Sequence, residues 1–300
     1  MNFKKIVFFI NILCINYAFS LDDAYSLVEA QNKRLYMQDS HDINITKDDA
    51  FFGVYDGHGD DGDKIAKFAA NNVQKKIKRS SNFAKNIPDA IIDSFIETHN
   101  EMANDKKLKE QSLQSGTTAT IAIIRGNKIY IGNAGDSRTV ISSRSKIVSS
   151  VDHKPNSEIE RKRIESIPGG FVSKPNIWRV QGHLATARSL GDVYLNPYVT
   201  PLPDVVVHEI TPQDEFMILG SDGIWDDINN EEAVEVVRKS KNIKEAAENL
   251  KDLAIQRGAE DNITVLIVDL RKTLEKMKTL ANEYKYAKLQ EKKNYDDYYK

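Results

Sequence analysis

In FFGVYDGHGDDGDKIAKFAA, residues 51–70, four aspartates, three glycines and one histidine crowd into positions 56–63, between an apolar strand and the start of a helix. FMILGSDGIWDD (216–227) is again an apolar strand that runs into an aspartate-glycine turn, Asp222-Gly223. In GAEDNITVLIVDL (258–270) the order is reversed, with Asp261 just before an almost wholly apolar strand. Strands this apolar are buried on both faces. Each aspartate therefore sits at the lip of the core, where an isolated carboxylate is costly to desolvate. A shared cation would neutralise all three. Carboxylates, waters and a backbone carbonyl are the ligands of hard cations, and Mg²⁺ and Mn²⁺ keep several waters and take few protein oxygens. A calcium loop fails on register: with Asp56 at position one, Asp61 stands where the loop glycine belongs and Lys67 where the bidentate acid belongs. Asp60, Asp61 and Asp63 read as solvated acids at a helix N-terminus.

The elements that hold these turns follow from periodicity. Ile65, Ala66, Ala69, Val73 and Ile77 recur at helical spacing, so 62–79 is an amphipathic helix. Pro88 opens a second helix with Ile91, Ile92, Phe95 and Met102 on its inner face. TTATIAII (117–124) and KIYIGN (128–133) form a hairpin across RGNK. Further helices are expected at 157–167, 230–240 and 243–257, the last closed by Gly258, and strands at 205–208, 216–219 and 263–270. Strands come in hairpins and helices in pairs, which argues for an α+β sandwich of antiparallel sheets flanked by helices.

The chain has 300 residues, 40% hydrophobic and 29% charged, with net charge −2. That is a globular composition without the basic excess of a nucleic-acid binder. Cys14 is the only cysteine, so disulfides, a thiolate metal site and a cysteine nucleophile are excluded once residues 1–20 are cleaved. Lys4 and Lys5, the apolar run 6–15, and Ala18 and Ser20 before Leu21 have the order of a secretory signal. Residues 1–20 are thus expected to be a signal peptide and the protein secreted, a cytoplasmic location being the alternative if the segment is retained. Beyond Arg271, Leu274, Met277, Ala281 and Tyr284 keep helical spacing among many lysines, a charged, partly docked helical tail over 271–300.

VYDGHG (54–59), SGTTA (115–119), GNAGDSR (132–138), DHKP (152–155), RVQGHLATARSLGD (179–192), LGSDGIWD (219–226) and EDNITV (260–265) stand in this order along the chain. Together with RLYMQD (34–39), they resemble the motifs of the PPM family, the metal-dependent type 2C serine/threonine protein phosphatases. The resemblance covers about residues 24–270, and a phosphatase domain is expected over 21–270. It implies two antiparallel sheets packed face to face with helices outside, a four-layer α-β-β-α sandwich, with the metal centre in a cleft at one end. It implies hydrolysis of phosphoserine and phosphothreonine in proteins, two Mg²⁺ or Mn²⁺ ions with a weaker third, and a monomer.

The resemblance also implies roles. Asp56 would bridge two metal ions, the Gly57 carbonyl would bind the second, and Asp222 and Asp261 would complete the first. Asp136 would join Asp222 at the third site. Arg34 would grip the substrate phosphate and His58 would protonate the leaving oxygen. The chemistry is consistent: arginine offers phosphate two parallel charge-assisted donors. Paired cations lower the pKa of a bridging water, so a hydroxide can attack phosphorus without a protein nucleophile. Gln38 departs from the family pattern, where many members carry a glutamate ligand, and implies weaker second-site affinity. Asp39 would orient waters.

Other residues receive plainer readings. His153 is a hydrogen-bonded loop residue, Arg188 and Asp192 are an ion pair in the cleft wall, and Trp225 anchors the 222–227 turn. Residues 166–182 form a variable flap, with Lys174 and Arg179 as candidate substrate contacts. Of two nominal glycosylation sequons, Asn262 is expected to be buried and Asn44, in a loop, to be the acceptor. The rival to the enzyme is a pseudophosphatase that keeps the fold and binds a partner. A hydrolase of small phosphate esters would share every core residue.

Overall fold

The computed structural model describes the backbone of residues 21–298 and the side chains of residues 23–291; the expected signal peptide lies outside the described residues. The chain begins with strands β1 (Tyr25–Ala30), β2 (Asp39–Ile45) and β3 (Asp49–His58), then helices α1 (Gly62–Arg79), α2 (Ile87–Asn104) and α3 (Gln111–Gln114). Strands β4 (Gly116–Thr117), β5 (Ala119–Arg125), β6 (Lys128–Ala134), β7 (Arg138–Ser143) and β8 (Ile147–Ser149) lead to α4 (Glu158–Glu165). After the short strands β9 (Val172–Ser173), β10 (Arg179–Val180) and β11 (Leu190–Gly191) come β12 (Asp204–Glu209) and β13 (Asp214–Gly220). Helices α5 (Asp222–Trp225), α6 (Asn230–Lys239) and α7 (Ile243–Gln256), strand β14 (Ile263–Asp269) and helix α8 (Leu270–Tyr298) complete it.

One sheet runs β1-β14-β13-β7-β8; the other runs β11-β4-β3-β5-β6-β12, with β2 on β3, and every pairing is antiparallel. Alternation along the strands creates three apolar layers. On β3, Ala50, Phe52 and Val54 face the opposite sheet, where Met217, Leu219, Leu266 and Val268 meet them. Phe51 and Tyr55 turn the other way, onto Ile65, Ala69, Val73, Ile91 and Phe95 of α1 and α2. On the far side, Ile218, Val265 and Ile267 pack under Val234, Ala247 and Leu250 of α6 and α7. The result is the expected four-layer sandwich.

Helix α1 has the expected limits, and the Asn229 and Asn242 side chains cap α6 and α7 by accepting from the Glu232 and Glu245 amides. The tail docks its apolar side chains in its first turns: Leu270, Leu274 and Met277 close the inter-sheet core, while Tyr284, under Lys47 Nζ at 4.6 Å, Tyr286 and Leu289 are exposed. Strands β1 and β2 were not expected. YSLVEA and DSHDINI are only half-buried, and their strand state comes from pairing with β14 and β3. Asn44 accordingly lies exposed on β2 rather than in a loop, whereas Asn262 is buried as expected. No helix among the described residues is long and apolar enough to cross a membrane.

Candidate metal centre

Strand β3 delivers Asp56 to one end of the sandwich, and its backbone is locked there: the Asp56 amide donates to Thr118 Oγ1 (3.2 Å) and the Thr118 amide donates to the Asp56 carbonyl (2.9 Å). Strand β13, in the other sheet, ends at Gly220, and Asp222 opens the single turn of α5. Trp225 secures that turn by donating Nε1–H to the Gly220 carbonyl at 3.0 Å. Asp261 precedes β14, the neighbour of β13, and Asp136 lies where the chain crosses between sheets from β6 to β7. The four aspartates, 205 positions apart at the extremes, line one cavity of about 640 Å³ together with Arg34, Gln38, Gly57 and His58. Asp39 pairs in register with Asp56 on β2 but lies behind the cavity wall.

The electrostatics of this cavity are unfavourable as they stand. Burial, then repulsion from Asp136 and other neighbouring aspartates, holds Asp222 well above the usual carboxylate range. Burial, then Asp222, Asp39 and Asp261, does the same to Asp56. Burial pushes Asp39 up to about 6 even though Thr264 Oγ1 and Ser221 Oγ donate to its Oδ2 at 2.7 and 2.8 Å. Its buried Oδ1 has no hydrogen-bond partner among the described residues. The backbone leaves no room for a side chain beside Asp56: a Cβ on Gly57 would fall 2.4 Å from the Gly62 carbonyl and 2.5 Å from that of Gln38. Crowded carboxylate oxygens and a close-approaching backbone carbonyl are the donor set of a hard divalent cation, so the residues present fit Mg²⁺ or Mn²⁺.

The outer aspartates are partly neutralised by side chains. Arg34 forms an ion pair with Asp261, and Lys154 bridges Asp136 (2.8 Å) and Asp226 (2.9 Å). Burial opposes the charge on Lys154, but Asp136, Asp226 and Asp222 outweigh it and raise its pKa. Among the described residues, no three acidic, histidine or cysteine side chains are gathered as closely as a bound ion would hold them. Gln38 commits its Nε2–H to the Gly59 carbonyl (2.7 Å), which leaves Oε1 as the atom it could offer a cation.

His58 pairs through Nε2 with Asp192 Oδ2 at 2.7 Å. Burial disfavours the charged ring, but the charge and hydrogen bond of Asp192 prevail and raise its pKa. Asp192 is therefore not the partner of Arg188, contrary to the expectation from sequence. Arg188 bonds Glu160 (2.6 Å) and Asp204 (2.8 Å) instead. Sequence reasoning placed Asp192 in the cleft wall but gave it the wrong partner, and it missed Lys154. Their partners lie 134, 18 and 72 positions away, so no local pattern announces them. His153 is the expected loop residue, accepting from the Gly135 amide (3.1 Å) beside Asp204. In the flap, Ile177, Trp178 and Arg179 line the cavity, whereas Lys174 stacks over Trp178 outside it.

The family model described as Protein phosphatase 2C matches residues 23–263. Protein phosphatase 2C homolog 3 of Schizosaccharomyces pombe is 40% identical over 273 residues, covering 82% of this chain and 64% of its own length. Probable protein phosphatase 2C 52 of Oryza sativa subsp. japonica is 38% identical over 243 residues, covering 79% of this chain and 48% of its own length. The chain thus spans about half to two thirds of these relatives. The crystal structure of a serine-threonine phosphatase 2C from Toxoplasma gondii shares the fold, with a TM-score of 0.70 and 24% identity over 82% of this chain and 94% of that one. This chain belongs to the protein phosphatase 2C family.

Proposed function

We propose that this protein hydrolyses phosphoserine and phosphothreonine in other proteins, with Mg²⁺ or Mn²⁺ held by Asp56, the Gly57 carbonyl, Asp222 and Asp261. The observation that carries this reading is the convergence of those groups, from both sheets, on one cavity that Arg34 and His58 also line. A bound pair of such ions would supply hydroxide at neutral pH and neutralise charge on the phosphoryl oxygens. Arg34 orients the phosphate through its planar fork, exchanging Asp261 for the incoming oxygens. His58, whose charged form Asp192 favours, gives its proton to the departing serine or threonine oxygen. Asp136, with Asp222, would hold a weaker third ion in competition with Lys154.

The test is phosphate release from a panel of phosphoserine, phosphothreonine and phosphotyrosine peptides with added Mn²⁺. Release from the first two, arrest by a chelator, and loss of turnover in a folded Asp56→Asn variant are expected. No release with either cation would leave the fold as a binding module. We also propose entry into the secretory pathway, supported by the order of charged, apolar and small residues in 1–20. Amino-terminal sequencing of protein from its native source should start near Leu21; a retained Met1 or Asn2 would overturn this.

A further inference from the structure

We propose that Asp192 is a positioning residue for the reaction: it fixes the His58 imidazole so that the ring's other nitrogen, Nδ1, faces the substrate's leaving oxygen. This rests on the phosphatase reading above. Three observations point to it independently of sequence motifs. First, Asp192 is 2% exposed, and among the described residues its one ion-pair partner is His58, since the neighbouring Arg188 is committed to Glu160 and Asp204. A buried carboxylate without a guanidinium or ammonium partner is costly unless its charge serves something. Second, Asp192 has a left-handed backbone, φ 48° and ψ 39°, a conformation that a non-glycine residue holds only when its surroundings enforce it. The enforcement is visible: the Asp192 amide donates to the Ser115 carbonyl (3.0 Å), and Ser189 Oγ donates to the same Oδ2 that meets His58, at 2.5 Å. Third, the contact needs a glycine. Gly116 is the register partner of His58, and a Cβ there would fall 2.0 Å from Asp192 Oδ2 and 2.7 Å from His58 Nε2.

The geometry divides the ring's two nitrogens between two tasks. Nε2 is taken by Asp192, while Nδ1 makes no hydrogen bond to the described residues and belongs to a side chain that lines the cavity. In the reaction, a bond forms from the attacking water oxygen to phosphorus as the bond from phosphorus to the serine or threonine oxygen breaks. The departing oxygen takes the Nδ1 proton, and the proton released by water restores the ring through solvent. A carboxylate behind a general acid holds its tautomer and orientation without itself changing protonation state, as in other acid–base dyads.

The test separates positioning from mere support by using two leaving groups. Wild type and Asp192→Asn are assayed at saturating Mn²⁺ on a phosphothreonine peptide, whose alkoxide leaves poorly, and on p-nitrophenyl phosphate, whose phenolate leaves without help. Expected is a fall in kcat of about 100-fold on the peptide with KM within about 3-fold, and a fall below about 5-fold on p-nitrophenyl phosphate. In a His58→Ala background, Asp192→Asn should change peptide turnover by less than about 2-fold, because its effect passes through the missing ring. Ser189→Ala, which removes only a hydroxyl, should give about a 10-fold loss with the same asymmetry, and stands in if Asp192→Asn does not fold. Equal losses on both substrates, an undiminished loss without His58, or no loss on the peptide overturns the proposal. Wild-type protein inactive on both substrates would instead overturn the phosphatase reading, and this inference with it.

Discussion

Replacing Glu160 by glutamine should destabilise the protein more than its place in a short helix suggests. Glu160 is 1% exposed on α4 and joins two guanidinium groups. Arg188 donates Nε–H (3.0 Å) and Nη2–H (2.6 Å) to its Oε1, and Arg163 donates Nε–H to Oε2 (2.9 Å). Arg188 continues to Asp204 on β12, and Arg163 to the Ala187 carbonyl, so this one carboxylate ties helix α4 to the cleft wall. The amide of glutamine would turn an N–H toward a guanidinium and leave Asp204 alone to balance the buried charge of Arg188. Removing one partner of a buried ion pair costs about 3 to 5 kcal/mol, and the retained oxygen places this change near about 3. At about 2 to 4 °C per kcal/mol for a domain of this size, Tm should fall by about 6 to 12 °C. The pH dependence has a definite sign. Burial alone would raise the Glu160 pKa, but Arg188 and Arg163 outweigh it and hold the carboxyl below its ordinary 4.5. Its stabilisation is then complete above the unfolded value and is lost as pH falls through the lower folded value. Urea melts of wild type and Glu160→Gln from pH 8 to pH 4 should show a constant gap that narrows only below about pH 4.5. A gap under about 1 kcal/mol at pH 7, or one that widens in acid, would refute the reasoning.

Two more outcomes can be checked by stability and exchange measurements. Tyr55→Phe removes a fully buried hydroxyl that has no hydrogen-bond partner among the described residues, and should stabilise the fold by about 1 to 2 kcal/mol in a urea melt; destabilisation would show a missed partner. Asn262→Ala removes the side chain that donates to the Gln31 (2.8 Å) and Tyr36 (3.0 Å) carbonyls and accepts from the Gln38 amide (2.8 Å). It should cost about 1 to 3 kcal/mol and speed amide exchange across residues 31–38, the segment that carries Arg34, before it affects β14.

The longer helices were legible from their periodic burial and strands β3, β5, β6, β13 and β14 from their apolar runs, whereas the inner strand β7 was not expected. Helix α1 repeats apolar residues every turn, and β14 is apolar on both faces because sheet and helices cover it. Strands β1 and β2 were not legible: Glu29, Asp42 and Asn44 lie on sheet edges where polar side chains are tolerated, so no run of apolar residues marks them. Asp56, Asp222 and Asp261 could be read because each stands at the end of an apolar strand, a local contradiction visible in sequence, whereas Asp136 was reached only through the family resemblance. The partners of charged residues could not be read. Arg188 and Asp192 are four positions apart and of opposite sign, yet Glu160 draws one guanidinium face and His58 the carboxylate, choices made by tertiary packing. Lys154 was silent for the same reason, since Asp136 and Asp226 reach it from different sheet connections.

The most direct test of the central claim is anomalous scattering from crystals grown with Mn²⁺. Two peaks among Asp56, Gly57, Asp222 and Asp261, reduced or absent in Asp56→Asn crystals that keep the same fold, are the predicted result. Manganese bound elsewhere, or a cavity in which those carboxylates stay apart at saturating Mn²⁺, would contradict the account.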